Sequence, residues 1–411
     1  MGALALGLTL CGPSRADDLA RARAILAKSP VIDGHIDVPE KLREMRQNRL
    51  AGFDYAALTG ADAAAFHTDL TRLKAGGYGG VFWSVFVPAD LAPDEAVRET
   101  IEQIDVMKRV IAANPTRMAL VGTATEARAA MRTGKIAGFL GAEGGHSINN
   151  SLAVLRQLHA LGVRYMTLTH FRNNGWADSA TDAPAHGGLT PFGREVVHEM
   201  NRLGMLVDLS HVAESTMLAA IETSAAPVIF SHSGARAVGR HPRNVPDSVL
   251  AKLAANGGVV MVDFAEPYVS DAVWQWSQAR AGEEARLKAA MTGRPAADGA
   301  AALKDWEKAH PAPHATIPQI ADHIDHIRKV AGIDHIGIGS DYDGVPTLPT
   351  GLEDVSKVPA LFAELLKRGY SARDCAQIAD GNILRALAQA EQVAARLQRE
   401  RGPSEAVFAT K

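Results

Sequence analysis

The run MLVDLSH at Met205–His211, followed at Pro227–Ser233 by PVIFSHS, carries the pattern on which the fold turns. Each is a short apolar stretch that closes on a histidine and a serine. Strict apolar/polar alternation would mark a strand with one wet face, whereas continuous Val/Ile/Leu/Phe marks a parallel strand buried on both faces. Upstream the pattern recurs as VIDGHID from Val31, GGVFWSVFV from Gly79, IAGFLGAE from Ile136 and RYMTLTH from Arg164. Downstream it recurs as GGVVMVDF from Gly257 and HIGIGSD from His335. The segments between have helical spacing: Leu152, Leu155, Leu158 and Leu161 share one face before the stop at Gly162. Pro191 to Leu203 before Gly204, and Pro246 to Ala255 before Asn256-Gly257, repeat the pattern. Strand and helix alternating eight times predict an α/β fold, a (β/α)8 TIM-type barrel. An open doubly wound sheet is the competing architecture, but no glycine-rich phosphate loop follows any of these strands.

The chain has 411 residues, 47% hydrophobic and 22% charged, ample for a large core. A single barrel domain over 17–400 is expected, with a helical insertion between strands seven and eight at about 266–318. A connection that long usually serves as a lid, a partner surface or a subdomain. The net charge of -3 argues against a nucleic-acid partner. Cys11 and Cys375 are the only cysteines, so neither a disulfide framework nor a thiolate zinc site can be built. The apolar run at the start, too short to span a bilayer, leads into Ser14-Arg15-Ala16, which suits signal-peptidase cleavage before Asp17. Residues 1–16 are thus expected to be a signal peptide and the protein periplasmic or secreted, the alternative being a cytoplasmic protein with a frayed N-terminus. Residues 401–411 are expected to be a disordered tail.

The chemistry-bearing residues fall where strands finish. His35 and Asp37 close the first, Glu143 the third, His170 the fourth, His211 the fifth, His232 the sixth and Asp341 the eighth. In a barrel these converge on one mouth. Singly, each has an ordinary explanation: a hydrogen-bonded structural histidine, a helix cap for Glu143, a turn with Gly344 for Asp341. Together, in a barrel otherwise filled with branched apolar side chains, they make a metal site. His35 and Asp37, two apart on a strand, share a face and can chelate one ion, and imidazole with carboxylate suits zinc or another first-row divalent metal. His211 and His232 can serve a second ion, with Glu143 bridging. Two such ions about 3.5–4 Å apart can share a hydroxide and polarise a carbonyl. Of the other histidines, His159, His323 and His326 read as solvated helix faces, and His146 as a supporting group beside Glu143.

These stretches resemble the renal or membrane dipeptidases, peptidase family M19, among the amidohydrolase-like barrels. The likeness rests on VIDGHID, GAEGGHSI, RYMTLTHFRNNGWADSAT, GLTPFGREVVHEMNRLGMLVDLSHV, HPRNVPD, GIGSDYDGVPTLPTGLEDVSK and GNILRAL, from Val31 to about Leu387. It implies a dipeptidase with two zinc ions per chain, His35 and Asp37 on one, His211 and His232 on the other, and Glu143 between. It further implies that His170 contacts substrate and supports the tetrahedral intermediate. Arg243 would grip the substrate's C-terminal carboxylate, and Asp341 would pass a proton to the leaving amine. A dipeptide substrate follows from the same likeness, and a homodimer is the family habit; no membrane span is expected, because the apolar run at the start is too short for one. Arg172-Asn173-Asn174-Gly175 and the stretch 266–318 depart from the family's pattern, which leaves side-chain preference open. Two other functions compete. One is a deaminase or a lactonase/β-lactamase-like amidohydrolase on the same metals, against which stands a bridging Glu143 where many relatives supply lysine. The other is a catalytically silent metal-binding barrel.

Overall fold

A computed structural model describes residues 15–290 and 296–409. Nine parallel strands form one sheet: β1 (Val31–Ile36), β2 (Tyr78–Phe86), β3 (Met118–Leu120), β4 (Ile136–Glu143), β5 (Val163–Thr167), β6 (Leu206–Asp208), β7 (Ile229–Phe230), β8 (Val259–Val262) and β9 (Ile336–Ile338). Their order is β2-β1-β9-β8-β7-β6-β5-β4-β3, and β2 also pairs with β4, so all but β3 close into an eight-stranded barrel. The (β/α)8 expectation holds. β3 is an addition that the sequence reading did not contain. It pairs with the first three residues of β4, whereas β5 pairs with the later ones, so it fills a gap on that edge.

Side chains two apart on a strand point the same way, and this sorts the barrel interior by depth. On β4 one column is Ala137, Phe139, Gly141 and Glu143, and on β2 it is Phe82, Ser84 and Phe86. Low in the barrel, Phe82 stacks on Phe139 at 4.4 Å, among buried Ile32, Tyr165, Leu206, Ile229, Val259 and Met261. The helix Asn382–Glu400 closes that end with Ile383, Leu384 and Leu387. Each of these larger apolar side chains contributes about 1.5–3 kcal/mol by leaving water. The upper end carries Ser84, Glu143 and the loops that follow the strands. Gly141 is required at the changeover, because a Cβ there would collide with the Tyr165 ring.

Between β8 and β9 lie the helices Glu266–Val269, Asp271–Ala290 and Ala296–Ala309 before the barrel helix Ile317–Val330. Trp276 Nε1 donates to the His310 carbonyl at 2.7 Å and Arg280 to Glu307 at 2.7 Å, fastening the two longer helices together. The apolar run of the N-terminus lies outside the described residues. The expected cleavage point before Asp17 falls in the first turn of the helix Arg15–Leu26. The tail expected to be disordered is instead fastened to the helix Pro191–Leu203 at Ser404 and Phe408. Ser404 bonds Glu195 and Glu199, and Phe408 meets Phe192 edge-on at 5.4 Å. His323 is a second correction. It is buried, not solvated, accepting from Ala235 N at 2.8 Å while its Nε2 donates to the Val269 carbonyl at 3.1 Å.

Candidate metal centre and substrate pocket

The strands are shorter than the apolar runs, so most of the predicted residues sit just past them. Glu143 is the last residue of β4 and His35 lies within β1, whereas Asp37, His170, His211, His232 and Asp341 occupy the loops immediately above. His211 and Asp341 adopt left-handed backbone, φ 67° and 62°. For non-glycine residues such conformations cost about 1–3 kcal/mol and concentrate at functional sites. All seven residues that close the strands come together. His211 Nε2 lies 2.9 Å from Glu143 Oε1 and 3.0 Å from His232 Nε2, and His232 Nε2 is 3.4 Å from the same Glu143 oxygen. His35 Nε2 lies 3.4 Å from Glu143 Oε2 and 3.3 Å from Asp37 Oδ2. His170 Nε2 stands 3.8 Å from Glu143 Oε1.

The ring nitrogens that face away are mostly fixed from behind, and this sets the tautomers. His35 Nδ1 and the Tyr165 hydroxyl are 2.8 Å apart. Ser231 gives its hydroxyl proton to Asp208 at 2.7 Å, leaving its oxygen to accept from His232 Nδ1 at 2.9 Å. Asp208 is itself held by Thr167 and by the amides of Ser210 and Ser231. The two bonds turn Nε2 of each ring inward, the atom that a metal ion would take.

The donor set fits metal. Donor atoms converge to within 4.8 Å in three groups, His35–Glu143–His232, Glu143–His170–His211 and His35–Asp37–Asp341. Both oxygens of buried Asp37 lack any hydrogen-bond partner. A Cβ at Gly344 would collide with the Asp37 carboxylate and lie 2.7 Å from Asp341 Oδ1, so glycine keeps that space open. Burial, reinforced chiefly by Arg243 for His170 and His211 and by His35 for His232, holds these three imidazoles well below 6.5 and therefore neutral. Burial works against a charged His35, yet the fields of Tyr165, Asp37 and Glu143 outweigh it and raise that ring. Burial also raises the carboxyls: Glu143, Asp341 with help from Asp263 and Asp37, Asp263 to about 7, and Glu40 to about 9. So many acids around one guanidinium, that of Arg243, form a basin whose charge divalent cations would offset.

Over this basin lies a cavity of about 180 Å³ lined by Glu40, Phe86, Phe171, Arg243, Tyr268 and the ring residues. Arg243 is buried, not the surface loop residue that its place in HPRNVPD suggests. Nη1 reaches Ser233 Oγ at 3.3 Å, Nη2 the His232 carbonyl at 3.4 Å, Nε has no partner, and the Tyr268 ring lies 5.0 Å beneath. Sequence reasoning missed Glu40, Asp263 and Tyr268. Asp263 had a signal, because it follows VVMV as the other strand-end acids follow their runs.

The sequence profile of the membrane dipeptidases (peptidase family M19) matches residues 19–401. The chain is 39% identical to dipeptidase verJ of Clonostachys rogersoniana over 393 residues, covering 93% of this chain and 89% of that one. Among solved structures, the probable dipeptidase PvdM from Pseudomonas aeruginosa superposes with a TM-score of 0.80 at 25% identity, covering 92% of this chain and all of that one. A metallo peptidase from Rhodobacter sphaeroides, liganded with a phosphinate mimic of the dipeptide L-Ala-D-Ala, gives 0.72 at 25% identity, over 88% of this chain and 99% of its own.

Proposed function

The chain belongs to the membrane dipeptidases, peptidase family M19, and from that premise we propose that it hydrolyses free dipeptides with two zinc ions held by His35, Asp37, Glu143, His211 and His232. The observation that carries the reading is the overlap of the convergent donor groups at His35 and Glu143, which suits two neighbouring ions sharing one carboxylate. Other first-row divalent metals fit the same donors. When bound, the ions supply Lewis-acid polarisation of the scissile carbonyl and neutralise the charge that develops on it.

The protein's own groups do the rest. The Arg243 guanidinium pairs with the C-terminal carboxylate of the substrate in a two-pronged contact, with Tyr268 fixing its plane. Neutral His170 donates to the carbonyl oxygen as it gains charge. Asp341, as the carboxylate, accepts the proton that the attacking water loses and passes it to the leaving amine, and burial with Asp263 and Asp37 beside it strengthens it as an acceptor. Phe86 and Phe171 flank His170, 4.5 and 4.0 Å between ring centres, and give the pocket an apolar side. A cavity of about 180 Å³ is small beside the roughly 300–1,000 Å³ of drug-sized ligand sites, which favours a dipeptide over a longer peptide.

The competing reading is another amidohydrolase reaction on the same metals. Glu143 at the bridging position, with no lysine closing a strand, supports the dipeptidase. Turnover of free dipeptides, their amides and a lactone panel by zinc-loaded protein decides it. Hydrolysis concentrated on free dipeptides is expected, and a preference for lactones would replace the reading. Export is proposed on Ser14-Arg15-Ala16: mass spectrometry of the native protein should find Asp17 as its first residue, and a chain starting at Met1 would remove the idea. Association as a homodimer is proposed on the family likeness, with sedimentation as its test.

A further inference from the structure

Glu40 lies in the first turn of the helix Val38–Arg46, three residues beyond Asp37. An acid there has an ordinary use, since it complements the helix dipole. Its surroundings say more. Glu40 lines the same cavity as Asp37, Glu143, His170 and Arg243, yet belongs to none of the convergent donor groups. Among the described residues, nothing donates a hydrogen bond to it and no cation pairs with it. Lys41, its neighbour, turns to Glu44 at 3.8 Å. Burial acts on it most, then the fields of Asp37, Glu143 and Glu44, all acidic, with that of His35 opposing them. A carboxylate in such a setting takes its charge most readily when a cation meets it, and among the described residues no side chain supplies one.

The barrel order places this group relative to the arginine. Glu40 follows β1 and Arg243 follows β7, and the ring runs β7-β8-β9-β1, so three strand steps separate them around the mouth. The cavity therefore has a cationic pole at Arg243 and an acidic pole at Glu40 that takes its charge when a cation meets it, with the metal donors between. A dipeptide has the matching polarity. If its C-terminal carboxylate is at Arg243, its N-terminal residue is directed toward the other pole.

We infer that Glu40 is a specificity-determining residue that receives a cationic group on the N-terminal residue of the dipeptide. The inference rests on the dipeptidase reading above. That group is either the α-ammonium, common to all free dipeptides, or the ammonium or guanidinium of a basic side chain. Both present the same chemistry to the carboxylate, and substrates that carry one without the other separate them.

The test compares zinc-loaded wild type with Glu40→Gln, which keeps the shape and removes the charge, on Lys-Ala, Leu-Ala and N-formyl-Leu-Ala. The three are followed as substrates or, where turnover is slow, as competitive inhibitors. If the basic side chain is the ligand, the ratio of kcat/KM for Lys-Ala over Leu-Ala falls by about tenfold or more in the variant, the size expected for a lost charge-assisted contact. If the α-ammonium is the ligand, Lys-Ala and Leu-Ala weaken together by that factor, whereas N-formyl-Leu-Ala, which lacks the charge, does not. Either result supports the inference. Equal change on all three compounds, or change on none, overturns it. Glu40→Asp, with the charge kept, should restore part of the discrimination, and failure to do so while Glu40→Gln loses it would also count against the inference. Wild-type protein that cleaves no free dipeptide would instead overturn the dipeptidase reading.

Discussion

The ring of metal donors and the wall of the pocket above it are built differently. Ring histidines His35 and His232 are each held from below by a hydrogen bond shared with Tyr165 and with Ser231 respectively, and Ser231 is anchored in turn by Asp208. His211 is the exception, its Nδ1 being buried without a partner. Wall residues hang from loops and helices. The Arg243 side chain makes two hydrogen bonds, both beyond 3.2 Å, besides lying over the Tyr268 ring, and Glu40 makes no hydrogen bond. A ring locked by its neighbours can keep its donor geometry while the substrate changes. On the proposed reading, a wall with unspent hydrogen-bonding capacity is where the substrate would be chosen. Chemistry and selectivity would then be separated by depth, and substitutions should sort the same way.

The largest effect belongs to the centre of the ring. Glu143→Ala removes the one carboxylate shared by two convergent groups. It should empty both metal positions and lower kcat/KM by about 10³-fold or more, the equivalent of several kcal/mol of lost charge stabilisation. Retained activity with full metal content would break the distinction between ring and wall. Next comes the wall. Arg243→Ala should keep its metal yet lose roughly 30-fold or more on free dipeptides, because removing one partner of a buried charged pair costs about 2–5 kcal/mol. The loss should be much smaller on dipeptide amides, and Arg243→Lys should recover only part of it. An equal loss on acid and amide would mean that Arg243 organises the loop instead.

Tyr165→Phe probes the support beneath the ring. It should weaken metal binding by about 10–100-fold, as removal of a partner behind a ligand does, without changing the ranking of dipeptides. A changed ranking with unchanged metal affinity would contradict the separation. The smallest effect concerns pH at the wall. His241 Nδ1 accepts from the Arg243 amide at 3.1 Å, and burial, then Arg243 and Arg236, push its pKa down to about 3 from an ordinary 6.5. Its neutral form belongs to the fold, so the associated stability is complete above pH 6.5 and declines as pH falls from there toward 3. Protection factors of the 243–245 amides, with the intrinsic base-catalysed rate divided out, should therefore fall by up to about tenfold per pH unit below 6.5. His241→Phe should flatten that dependence, and equal slopes in both proteins would remove His241 from the account.

The ring was legible in the sequence for a physical reason. Parallel strands buried on both faces leave little freedom for polar residues, so His35, Glu143, His211, His232 and Asp341 stood out at the ends of their runs. The wall was not. Glu40 looks like any acid in a helix's first turn, Tyr268 lies where the insertion begins, and Arg243 lacks apolar periodicity around it to signal burial. His323 could have been found: Ile320, Ile324 and Ile327 line the buried face of its helix, and position 323 lies on that face. β3 is too short to carry a pattern, and the tail is fastened by isolated contacts at Ser404 and Phe408.

The central claim, a dipeptidase whose ring holds a pair of ions, is tested most directly by titrating metal-free protein with zinc while following hydrolysis of a free dipeptide. The account predicts that activity, nearly absent at first, rises until about two equivalents per chain are bound and then levels off. Full activity at one equivalent, or no dipeptide hydrolysis at any zinc level, would contradict it.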